Sequence, residues 1–136
     1  MSRIVITVQG VYYVLTGLWP LLSMATFEAV TGPKTDDWLV HTVATLVLGV
    51  GIALLVGGRR NDPSMETLAL AGSAAVAFTA IDIVYVANGT ISGIYLADAA
   101  VEGVFLVALA VASLRLDVPE RIFQLLFGGN RNARAC

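Results

Sequence analysis

Cysteine occurs once, at the last position, Cys136, so no disulfide can close within the chain and no CxxC-type metal site can be built. Histidine also occurs once, at His41, which falls short of the nitrogen and sulfur ligand sets that hold transition metals. Neither a metal nor a cofactor is therefore expected. Charge is scarce as well: Asp, Glu, Lys and Arg together make up 13% of the residues, against about 25% in soluble domains. The formal net charge of -2 gives no electrostatic reason to expect nucleic acid as a partner. No GxGxxG or P-loop pattern is present, and neither Ser73 nor Ser92 sits in a nucleophile elbow, so no catalytic residue is assigned.

Apolar residues fill the space that charge leaves. They form 57% of the chain, with a mean hydropathy of +0.82, so the expected surroundings are a lipid bilayer. Crossing ~30 Å of hydrocarbon takes about 20 residues at 1.5 Å of rise each. Four runs are long enough: 4–24, 38–56, 67–87 and 94–114. Between them lie FEAVTGPKTDD, GGRRNDPSME and NGTISG, rich in the Gly, Pro, Asn and Asp that end helices. The first run exceeds the 7–15 residues of a secretory h-region and is expected to be retained as a helix. Short connections make consecutive helices antiparallel neighbours, so the expected fold is an all-α, integral-membrane, four-helix up-down bundle in a single domain.

Basic residues orient this bundle. Arg3, Arg59, Arg60, Arg115, Arg121, Arg131 and Arg134 fall on one side of a four-span arrangement and Lys34 alone on the other, which places both termini in the cytoplasm. Beyond the last span, LDVPERIFQLLF carries Ile122, Phe123, Leu126 and Phe127 at helical spacing. A short amphipathic helix over about 118–127 is expected, either on the cytoplasmic leaflet or beneath the bundle.

Helices in lipid approach closely through small residues. Ala71 and Ala75 share a helical face with Asp82, and Ala99 and Gly103 form a second small pair beside Asp98 and Glu102. Gly10, Gly17 and Gly49 read as further contact points between helices.

The polar residues inside the spans are the candidate site. Asp98 and Glu102 stand about 6 and 12 Å below the outer start of the fourth span by helical rise, with Asp82 between them in depth on the third. A carboxylate at the membrane centre costs at least ~2.5–3.5 kcal/mol, and none of the Lys or Arg residues falls within a span. The charge can be answered by protonation, by His41, by a bound cation, by a basic partner protein or by water from outside. Asp98 and Glu102, at i and i+4, have the spacing of a shared-proton pair or of an oxygen-ligand cation site, with Asp82 as a third ligand. Tyr12, Tyr13, Tyr85 and Tyr95 can hydrogen-bond the acids or wall a pocket for an organic cation. Equally, such tyrosines anchor helices at the interface, as Trp19 and Trp38 are expected to do.

The segment Tyr12 to Val40, with GLWP, FEAVTGPK and a DxWLV-like end, resembles the leading part of a group of small, uncharacterised bacterial four-helix inner-membrane proteins. That resemblance covers the first third of the chain. It implies a multi-pass protein of the bacterial inner membrane and carries no activity onto the acids, which lie outside it. Three functions stay open: a binding protein with an acidic pocket in the outer half for a proton, a cation or a cationic amphiphile; an accessory or structural subunit of a larger bacterial membrane complex; and an intramembrane isomerase-like enzyme acting on a lipid. Other membrane subunits or copies of the chain itself are the possible protein partners.

Overall fold

The computed structural model describes the backbone of residues 2–127 and the side chains of residues 2–114. Five helices form: α1 Ser2–Leu22, α2 Met24–Thr31, α3 Asp37–Gly57, α4 Met65–Ala87 and α5 Tyr95–Phe127. No strand occurs among the described residues. Four of the helices, with α5 taken to Leu114, are long and apolar enough to cross a membrane. Large apolar side chains on all four point outward, among them Ile4, Leu46, Val76 and Val104. A bundle that turns Leu and Val outward in such numbers has its low-energy surroundings in lipid.

The boundaries follow from local chemistry. Ser23, in extended conformation, caps α2 by accepting a hydrogen bond from the Thr26 backbone, and Ser64 caps α4 in the same way through Thr67. Gly32 ends α2 at a φ of 88°, a conformation that favours glycine. Two expectations change. The first connection is partly helical, since α2 occupies residues read above as loop. The separate amphipathic helix over 118–127 does not form; α5 runs unbroken to Phe127. No glycine or asparagine lies between Leu114 and Phe127 to cap a helix end there.

α1 is the centre of the bundle. One side packs on α3 through backbone-to-backbone contact. A Cβ added to Gly17 would lie 2.8 Å from Ala44 O and Leu48 N, and one added to Gly51 would lie 2.8 Å from Val14 N and 3.0 Å from Gly10 O. Gly10 therefore meets Gly51 and Gly17 meets Ala44, an antiparallel pairing in which both helices repeat a small residue every seven positions. Gly49, expected to be a contact, has nothing within 4 Å; the contact belongs to Gly51, on the other face of α3. The opposite side of α1 faces α4 and α5, which pack on each other. Ile6, Tyr13, Leu54, Ala71 and Leu109 form the common core.

Beyond α1, α2 folds across one end of the bundle. Trp19 donates its indole hydrogen to Thr26 Oγ1 at 3.0 Å and meets the Phe27 ring edge-on. Lys34 is fixed by a backbone hydrogen bond to Glu28 Oε1 and by its ammonium on Thr31 O. The same ammonium stands 5.0 Å from the Tyr95 ring, so this segment bridges α1 to the start of α5.

The close approach of α1 and α3 predicts the outcome of small substitutions. Gly17→Ala and Gly51→Ala each force backbone apart and lower stability by about 1–3 kcal/mol, whereas Gly49→Ala changes it by less than about 0.5 kcal/mol. Unfolding in mixed detergent micelles measures all three.

Candidate functional site: a buried acid, tyrosine and glutamine cluster

Three helices converge on the acids. The buried residues of α4 are Ala71, Ala75 and Asp82, so the small-residue face carries the carboxyl into the bundle. From α5, Glu102 is 1% exposed and Asp98 half-buried, one turn apart on the same side. α1 supplies Gln9, Tyr12 and Tyr13, of which Gln9 and Tyr13 are also fully buried.

The hydrogen bonds run in one direction. Gln9 Nε2 donates to Tyr13 Oη at 3.1 Å and to the Ala71 carbonyl at 2.9 Å, using both amide hydrogens. Tyr13 in turn donates to Glu102 Oε2 at 2.9 Å. In parallel, Tyr12 donates to Asp98 Oδ1. Asp98 lies beside Asp82, a carboxyl next to a carboxyl, and Asp82 Oδ2 is buried with no hydrogen-bond partner. Among the described side chains, Gln9 Oε1 is the other buried polar atom without a partner. The aromatic rings lock these groups: Tyr13 meets Phe78 of α4 edge-on at 5.5 Å, and Tyr12 packs on Phe105 of α5.

Among the described residues no basic side chain enters the cluster; the groups beside Asp82 and Glu102 are the neighbouring acids and the Tyr13 hydroxyl. His41 does not answer the acids. It is exposed on α3, where it lines an open groove with Thr42, Thr45 and Leu46, and α3 packs mainly on the opposite side of α1. Tyr85 points outward at 46% exposure, and Tyr95 lies under Lys34 and makes none of the acids' hydrogen bonds. Among the described residues, no group of three His, Cys, Asp or Glu side chains is arranged to hold a metal ion. Glu102 is turned toward Tyr13 and Asp98 toward Tyr12, so the three carboxyls do not close into the cation cage that their spacing allowed.

Of the sequence candidates, Asp82, Asp98, Glu102, Tyr12 and Tyr13 come together. Gln9 joins them and was not among the candidates, yet its signal was present. It is a lone amide in the apolar run IVITVQGVYYV, four residues before Tyr13, the same spacing as Asp98 to Glu102. Comparisons with protein-family models, curated proteins and solved structures find no match to this chain.

Removing the central hydroxyl separates its role from that of an interface anchor. Tyr13→Phe leaves Glu102 and Gln9 each short of a partner and lowers stability by about 1 kcal/mol, while Tyr85→Phe is neutral. Paired denaturation curves in the same detergent give the difference.

Proposed function

We propose that this chain is a multi-pass protein of the bacterial inner membrane, with both termini cytoplasmic, whose buried acids form a proton-binding site in the outer half of the bundle. The observation that carries this is the pairing of a buried and a half-buried carboxyl with no basic partner among the described residues: Asp82 Oδ2 has no donor, and the Asp98 carboxyl beside it has none to give unless one of the two is protonated. An intramembrane acid cluster of this kind is functional by default, because lipid makes an idle one costly.

The three ligand classes are not equally supported. A proton needs no space and suits carboxyls already engaged by Tyr12 and Tyr13. A metal ion needs a cage of ligands that the described side chains do not form. For a cationic amphiphile or a lipid substrate, the site would need a ligand-sized pocket. Phe78, Phe105 and the tyrosine rings instead pack around the acids. The arginine asymmetry supports the orientation.

Membership of a larger complex draws on a different feature. Gly49, Gly72 and Gly103, one each on α3, α4 and α5, have open space at their missing side chains and offer close approach to helices of another chain. Stoichiometric co-purification of other subunits in mild detergent is the outcome expected of such a role.

Infrared spectroscopy of the protein in lipid nanodiscs tests proton binding. A carboxylic-acid carbonyl band titrates with pH, and both Asp82→Asn and Glu102→Gln change its amplitude and midpoint, because the acids titrate as a coupled set. A titration unaltered in the triple variant Asp82→Asn/Asp98→Asn/Glu102→Gln overturns the proposal.

A further inference from the structure

The geometry points to a proton site with access from one end only: it loads through Asp98, at the end covered by α2, and is sealed from the end that carries Arg3, Arg59 and Arg60. This deepens the proton-binding proposal and rests on it. The first observation is the gradient of burial along the polar line. Asp98 and Tyr12 are partly exposed, Glu102 and Tyr13 are 1% exposed, and Gln9 is fully enclosed. Ala71, which Gln9 caps, and Asp82 are eleven residues apart on α4, so the line runs ~16 Å into the bundle, about half the thickness of the hydrocarbon.

The second observation is what stops it. Tyr12 donates to Asp98 and Tyr13 to Glu102 one turn deeper, so from the acids the line reaches Gln9 only through the Tyr13 hydroxyl. Gln9 cannot extend that path. Both of its amide hydrogens are already committed, to Tyr13 and to the Ala71 carbonyl, and its Oε1 meets no donor beyond. If the amide were turned over, Ala71 O would face another oxygen, so the carbonyl fixes the orientation.

Below Gln9 the bundle closes in an apolar layer. Ile6 of α1, Leu54 of α3, Ala71 of α4 and Leu109 of α5 are buried in one cluster with the Tyr13 ring, and Val5, Val50 and Leu68 pack against it. Apart from Tyr12 and Tyr13 on the side of the acids, this cluster contains no titratable side chain among the described residues. Only past it does polarity return, where Arg3 donates to Asn61 Oδ1 at 3.0 Å and the Thr7 hydroxyl sits against Gly58. The groups that face the acids are thus Tyr12, Tyr13 and Gln9 from α1, Asp82 from α4, and Asp98 and Glu102 from α5. At the open end, the Lys34 ammonium stands 5.0 Å from the ring of Tyr95, three residues before Asp98. A bundle built this way registers the proton activity on one side of the membrane without conducting protons to the other.

Oriented proteoliposomes test this, with orientation fixed by protease cleavage of an N-terminal tag. The wild-type carboxyl band, followed by infrared spectroscopy, tracks the pH of the solution at the Asp98 end and ignores pH steps at the Arg3 end. Proton flux under an imposed potential, read with a trapped pH dye, equals that of protein-free vesicles. A band that follows the Arg3 end, or a wild-type flux above the protein-free level, overturns one-sided access while leaving proton binding intact. A band that titrates from neither side in either orientation sinks proton binding itself, and this inference with it.

Discussion

A carboxyl enclosed by apolar helices has to be given hydrogens, and in this chain they come from α1. Tyr12, Tyr13 and Gln9 project from one side of that helix to the acids of α5 and to a carbonyl of α4. The other side is stripped to Gly10 and Gly17, which bring α3 to backbone contact. Large polar residues and glycines alternate along a single helix because its two neighbours ask for opposite things: one needs reach and the other needs absence. The direction of every donor toward the acids, and the enclosure of Glu102, follow from this division of α1 into two working faces.

Much of the architecture could be read from the sequence because its signals are local. The four apolar runs end at Gly, Pro, Asn and Asp clusters, and the observed helices begin and end within two residues of them, apart from the longer reach of α5. The alignment of Ala71, Ala75 and Asp82 needs only helical periodicity. What the sequence left undecided depends on which helix neighbours which. α3 is apolar beyond Thr45, so the residues next to Gly49 and Gly51, two apart and on opposite faces, do not choose between them; the register of α1 makes the choice. His41 is close in depth to the acids, but α3 packs mainly on the far side of α1, and sequence gives depth without azimuth. The α2 segment carries turn residues after it and a serine before it, and its eight residues are too few for periodicity to declare a helix.

The two ends of the bundle differ in kind. One carries three arginines of the described sequence, at Arg3, Arg59 and Arg60, around a hydrogen-bonded contact between α1 and the α3–α4 turn. The other carries Lys34, folded down between the Phe27 and Tyr95 rings. There the ammonium stands over aromatic faces and on the Thr31 carbonyl. Polarity therefore enters from the α2 end and thins out toward an apolar floor, so the bundle is asymmetric along its own axis as well as in its loops.

The position of α1 between the other helices also sets the order in which the molecule can be completed. Emerging first, it brings Gln9 and two tyrosines into lipid before any acceptor exists for them; α3 arrives next and can dock at once on the glycines, since that contact needs no polar partner. The acids come last, on α4 and α5, and only with α5 do Asp98 and Glu102 meet the hydroxyls of Tyr12 and Tyr13. Biogenesis thus proceeds from a dry helical pair to a finished polar interior, and the final helix to enter is the one that ends the first helix's wait.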